Sequence, residues 1–67
     1  MTKKELAILY WDGPMPENMR IPVRRLMRWI RFNKDLTREL NENGYISRQR
    51  VFTLKQQEII YKYLGEP

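Results

Sequence analysis

Gly44-Tyr45-Ile46-Ser47-Arg48-Gln49-Arg50-Val51-Phe52-Thr53 is the stretch on which the fold turns. Tyr45-Ile46 and Val51-Phe52 favour extended backbone, and they flank the polar loop Ser47–Arg50. That arrangement predicts a small β-hairpin, although no Asn-Gly or Asp-Gly sets its turn type. On the N-terminal side, Gly44 is placed for the left-handed stop of a preceding helix. Tyr45 and Leu40 then occupy the two positions that touch in a Schellman motif. On the C-terminal side, Thr53 and Gln56 have capping-box spacing. They open a last helix over Leu54–Leu64, which Gly65 and Pro67 end.

The helix that stops at Gly44 is predicted over Lys34–Asn43, with Asn33 as N-cap and Leu36 and Leu40 as its apolar pair. Before it, Pro22–Phe32 reads as a helix whose Val23, Leu26, Met27 and Ile30 fall on one face. Proline suits the first helical position, where its missing N–H would have no partner. In that frame the N-cap is Ile21, which has no side-chain acceptor. The first-turn N–H groups then want water, an anion, or the side chain of Asn18. Thr2–Tyr10 is a shorter helix with a Thr2/Glu5 capping box and a Met1/Leu6 staple. Asp12-Gly13-Pro14 ends it, and Trp11–Met19 is expected to be ordered but irregular. The predicted order is helix, loop, helix, helix, hairpin, helix. The expected fold is a single, mainly α domain over residues 1–67 with a short β-hairpin, winged helix-turn-helix-like.

At 67 residues the chain holds one domain at most. It has no cysteine and no histidine. That excludes a disulfide framework, Cys/His zinc sites and imidazole-based catalysis. No apolar run is long enough to span a bilayer. Met1-Thr2-Lys3-Lys4-Glu5 has no apolar run behind it, so no secretory signal is expected. The eight acids form no catalytic motif, and there is no Gly-rich phosphate loop. The expectation is a non-enzymatic cytoplasmic module with no cofactor, no metal and no membrane partner.

The net charge of +5 is unevenly spread. Residues 18–34 carry Arg20, Arg24, Arg25, Arg28, Arg31 and Lys34 and no aspartate or glutamate at all. Arg48 and Arg50 add positive charge to the hairpin loop. On a helical wheel Arg24, Arg25, Arg28 and Arg31 lie opposite the apolar stripe, with Phe32 among them. Such a face repels itself unless an anion lies against it or acids pair with it. Two readings stand. The face binds nucleic acid, since the arginine fork matches phosphate oxygens and guanine edges. Alternatively it is a solvated face paired with Asp35, Glu39 and Glu42 of the next helix. Lys3 and Lys4 belong to a segment without net positive charge and are expected to take no part.

The large aromatics Trp29, Tyr45, Phe52, Tyr61 and Tyr63 are expected in or at the edge of the core, which so small a domain needs. Phe32 is either covered by the third helix or an exposed contact residue. Tyr10-Trp11 with the proline-containing loop is either core packing or a protein-docking patch.

Certain elements together resemble one family of small bacterial proteins catalogued as a domain of unknown function. They are Glu5-Leu6-Ala7 with Tyr10, Arg25-Leu26-x-Arg28-Trp29-Ile30, Leu36…Leu40, Gly44-Tyr45, Phe52-Thr53-x-x-Gln56…Ile60 and Leu64-Gly65-Glu66-Pro67. The resemblance covers essentially the whole chain. It implies a helix-rich fold and supplies no site residue. Glu5-Leu6-Ala7, Arg24/Arg25 and Gly44-Tyr45…Arg50-x-Phe52-Thr53 are also similar to winged helix-turn-helix proteins of the MerR and excisionase kind. The chain departs from that pattern in the long Trp11–Met19 loop and in the extra acidic helix before the hairpin.

The function expected from these readings is binding of double-stranded DNA, as a transcriptional or mobile-element accessory protein. Helix 22–32 would enter the major groove and the 47–50 loop would meet the backbone. The candidate contacts are Arg20, Arg24, Arg25, Arg28, Arg31, Lys34, Arg48 and Arg50. The rival is a protein-interaction or adaptor module using the Trp11–Met19 loop and the apolar edge.

Overall fold

Local capping chemistry sets most of the helix ends in the computed structural model, which describes residues 1–67. In α1 (Lys3–Leu9) the Glu5 N–H donates to Thr2 Oγ1 at 3.1 Å, and the Thr2 N–H donates to Glu5 Oε1 at 2.9 Å. In α4 (Leu54–Leu64) Thr53 and Gln56 repeat the same box. α3 (Lys34–Glu42) is capped by Asn33, whose Oδ1 accepts from the Leu36 N–H at 3.0 Å. At its other end Gly44 has φ 82°, the Tyr45 N–H donates to Leu40 C=O at 3.0 Å, and the Gly44 N–H donates to Asn41 C=O at 3.2 Å. That is the complete Schellman pair.

α2 spans Arg20–Phe32, two residues longer at its start than the Pro22 boundary read from the sequence. Met19 is the N-cap and makes no side-chain bond. Asn18 Oδ1 accepts from the Arg20 N–H at 2.9 Å and fills that role. Pro22 sits one turn in, where a helix still has no acceptor for its N–H, so the ring costs no hydrogen bond. It is buried.

α1 packs on α2, α2 on α3, and α3 on α4. The core is Leu6 and Ala7 of α1, Leu26 and Ile30 of α2, Leu36 and Leu40 of α3, Ile59 and Ile60 of α4, and Tyr45 and Phe52 of the connection. Full burial of each large aliphatic side chain stabilises by about 1.5–3 kcal/mol. Val23 and Met27 flank this core half-buried.

The predicted hairpin is absent. The fold has four α-helices and no β-strand, so it is not a winged arrangement. Ile46 and Val51, which a hairpin would place on paired strands, do not pair, and each is 56% exposed. The backbone edge of Val51 is taken by the start of the chain. Thr2 and Val51 form an isolated antiparallel bridge. In it the Lys3 N–H donates to Arg50 C=O at 2.9 Å and the Phe52 N–H donates to Met1 C=O at 2.8 Å.

The Gln49 side chain holds the rest of the connection. Its Oε1 accepts from the Ile46 N–H at 3.1 Å, and its Nε2 donates to Val51 C=O at 2.8 Å. The same amide donates to Oε1 of the buried Gln56, whose own Nε2 donates to Asn43 C=O at 3.0 Å. Side chains therefore satisfy groups that a ladder would otherwise pair. The Tyr45 and Phe52 rings stack at 5.7 Å between centroids and anchor both ends of the segment in the core.

Candidate nucleic-acid interface

α2 buries Leu26 and Ile30 and turns the opposite face to solvent. Arg20, Arg24, Arg28 and Arg31 follow one another at spacings of four, four and three residues, so they form one stripe along that face. All four are exposed and none has a carboxylate partner. The stripe runs about 16 Å along the axis at 1.5 Å per residue.

The acids of α3 are engaged elsewhere. Asp35 pairs with Arg38 at 3.4 Å, and Glu42 lies 3.9 Å from the same guanidinium. Glu39 accepts from the Tyr63 hydroxyl at 2.9 Å and pairs with Lys62 at 3.1 Å. Both contacts, the Tyr63 hydroxyl first, hold its carboxyl below the ordinary carboxylate value. The pairing of Asp35, Glu39 and Glu42 with the α2 arginines does not occur.

Arg25 differs from its neighbours. It is half-buried, and its Nη1 lies 2.9 Å from Asp12 Oδ1. Its guanidinium sits 4.8 Å from the Trp29 ring centroid and 5.5 Å from that of Trp11. Two cation–π contacts and an ion pair thus fasten the irregular 10–19 connection to α2. The same packing accounts for Tyr10-Trp11. The Tyr10 ring meets Trp29 edge-on at 6.2 Å, and Trp11 Nε1 donates to Pro14 C=O at 2.7 Å.

The 45–53 connection lies along one flank of the stripe. Arg31 and Met27 share a depression with Tyr45 and Ser47, and the Tyr45 hydroxyl contacts Met27 Sδ at 3.6 Å. Val23 shares a second depression with Arg50, Thr2, Lys3 and Lys4. Arg48 and Arg50 are exposed and unpaired, and so is Lys34 at the start of α3. Lys34 lines a third depression with Arg31, Thr37, Arg38 and Asn41. The structure therefore sets Arg20, Arg24, Arg28 and Arg31 along α2, with Lys34 beside Arg31 and Arg50 beside Val23, while Arg48 is exposed on the 45–53 connection. Arg25 stands apart, tied to Asp12.

Two features were not read from the sequence, and one open alternative, at Phe32, is decided. Lys3 and Lys4, set aside on segment charge, line the same depression as Arg50, because the Thr2–Val51 bridge folds the first turn of α1 against that connection. The Lys3 ammonium donates to Ser47 C=O, and partial burial lowers its affinity for a proton. Ile21 is 51% exposed on the basic face of α2, a position the helical wheel alone would have shown. Phe32 is 75% exposed, so α3 does not cover it.

No group of three or more acids lies together where a metal could be held, and no helix is long and apolar enough to cross a membrane. No curated protein and no solved structure matches the chain at significance. The family described as a domain of unknown function (DUF4248) matches residues 1–67, and the chain belongs to that family.

Proposed function

We propose that the protein is a non-enzymatic module that binds double-stranded DNA through the exposed face of α2. The observation that carries this reading is the stripe Arg20, Arg24, Arg28 and Arg31, exposed and without an acid partner while every acid of α3 is engaged. A helix surface of this kind is self-repulsive and is relieved by an anionic partner. The major groove admits one α-helix, and the arginine fork suits both phosphate oxygens and guanine edges. Arg48 and Arg50 stand on the flank where a backbone strand would pass, and Lys34 extends the stripe at its far end. Such a role belongs in the cytoplasm of a bacterial cell, where the chromosome is.

Binding of the full chain to a random-sequence duplex at two salt concentrations tests the proposal. Four to six neutralised phosphates give a slope of log K against log salt of about −4 to −5. A protein-interaction role is favoured instead by the exposed apolar residues Ile21 and Phe32, and it predicts little salt dependence. Absence of duplex binding at low salt removes the DNA reading.

A further inference from the structure

The outward pole of α2 is not purely basic. Arg28 stands almost opposite the buried Leu26–Ile30 stripe, and Ile21 and Phe32 lie within about 40° of it on the helical wheel. Both are exposed, 51% and 75%. Arg20 and Arg31 lie to one side on the wheel, and Arg31 shares a depression with Tyr45 and Ser47. A helix seated in a groove turns its pole to the groove floor and its flanks to the two backbones. Cations on the flank meet phosphate, and whatever occupies the pole meets base edges. The only apolar group that a major-groove floor presents is the 5-methyl of thymine.

Resting on the DNA reading, we propose that Phe32, with Ile21, packs against thymine methyl groups on the major-groove floor. The site is thereby specific for thymine-containing duplex, with Arg24 and Arg28 holding the register. An exposed phenylalanine on a basic helix face is out of place in water and in place against a methyl group flanked by phosphates. This assigns the apolar part of the face to the same ligand as its charged part, so no second partner is needed to cover it.

The test compares one duplex carrying thymine with the same duplex carrying deoxyuridine at every thymine, which deletes only the methyl groups. Fluorescence anisotropy with the full chain at low salt should show binding weakened about threefold to tenfold by the replacement, as expected for the loss of one or two buried methyl contacts. In Phe32→Ala the discrimination should fall towards unity while the salt slope is kept. Its circular dichroism should be unchanged, because the side chain is exposed. Equal affinity of the unaltered chain for both duplexes overturns the methyl contact and leaves the DNA reading standing. Undiminished discrimination in Phe32→Ala also overturns the assignment to Phe32. No binding to either duplex overturns the DNA reading, and this inference with it.

Discussion

The side-chain amide of Gln49 donates to the carboxamide oxygen of Gln56 at 2.6 Å, and this contact organises the segment between α3 and α4. Gln56 is 2% exposed, accepts from the Thr53 N–H, and donates to Asn43 C=O. Replacing it by leucine keeps the volume and removes every one of those bonds. The expected loss is about 1–3 kcal/mol, from polar groups left without partners in or near the core. That is a large part of the ~3–5 kcal/mol that one core supplies in a domain this small. A denaturant titration of Gln56→Leu checks it. A change below half of that range would mean that water replaces the amide without cost.

Inserting two glycines after Gln49 separates two classes of loop. A free hairpin turn would tolerate them at a few tenths of a kcal/mol, since lengthening a loop adds little closure entropy. Here Gln49 bonds backbone on both sides of itself, at Ile46 and Val51. The insertion should therefore destabilise by about 1–3 kcal/mol, as bonded groups lose their geometry. Thermal melts of the insertion variant and of Gln49→Ala should shift in the same direction.

Leu26→Ala and Ile30→Ala remove side chains that are 1% and 3% exposed at the centre of α2. Each should cost about 2–5 kcal/mol, so most of the population unfolds at 37 °C. Far-UV circular dichroism at that temperature reads the outcome directly. A melting shift of a degree or two in both would show that this face is not core.

Arg25 and Arg24 should behave differently despite being adjacent. Arg25→Ala removes the ion pair to Asp12 and both ring contacts. It should shift tryptophan emission, because Trp11 and Trp29 are the only indoles in the chain and both lose a charged neighbour. Arg24→Ala should leave emission unchanged and weaken DNA binding, by about 1–3 kcal/mol if the contact is bidentate to a base. Equal emission shifts in the two variants would contradict the Arg25 sandwich.

Two pH limits follow from named contacts. Glu39 has its carboxyl held below the ordinary 4.5 by Tyr63 and then Lys62, and Glu5 is lowered by the Thr2 cap. A depressed acid contributes stability above its unfolded value and loses it as pH falls through its folded value. Stability should therefore decline below about pH 4.5, and Glu39→Gln should shallow that decline. At the alkaline end, burial first and then Tyr61 and Glu66 push Tyr10 up to about 12 from 10.0. A raised phenol contributes fully below its unfolded value and loses that contribution as pH rises from 10.0 towards 12. Denaturant midpoints at several alkaline pH values should fall across that interval, less so in Tyr10→Phe.

Much of the helical frame was legible because its signals are local. Thr2/Glu5, Thr53/Gln56, Asn33 and Gly44 each act within six residues, and each does in the fold what its spacing indicates. The start of α2 was misplaced because Asn18 caps from two residues upstream, leaving Pro22 inside the first turn. The hairpin was misread for a different reason. Tyr45-Ile46 and Val51-Phe52 carry strand propensity, but propensity does not name a partner. The partner of Val51 is Thr2, at the far end of the sequence. The same long-range closure brings Lys3 and Lys4 to Arg50, which no segmental charge sum can show. Arg24, Arg28 and Arg31 were legible as one face from helical periodicity, whereas Arg20 was not, because the predicted helix began at Pro22 and α2 begins at Arg20. The capture of Arg25 was not, because Asp12 belongs to an irregular segment whose path periodicity does not describe.

Asn33 alone joins α2 to α3. Its N–H donates to Ile30 C=O, its side chain receives the Leu36 N–H, and its carbonyl receives the Thr37 N–H at 2.9 Å. The Thr37 hydroxyl closes the elbow by donating to Ile30 C=O at 2.6 Å. With no spare residue in the joint, the two helices can reorient only as one body. The backbone that carries the arginine face is consequently preorganised, and a ligand that docks on it has only the side chains to order. Association should then proceed without any gain in helix content, and the tightness of the complex would be governed by how well a ligand fits a fixed surface.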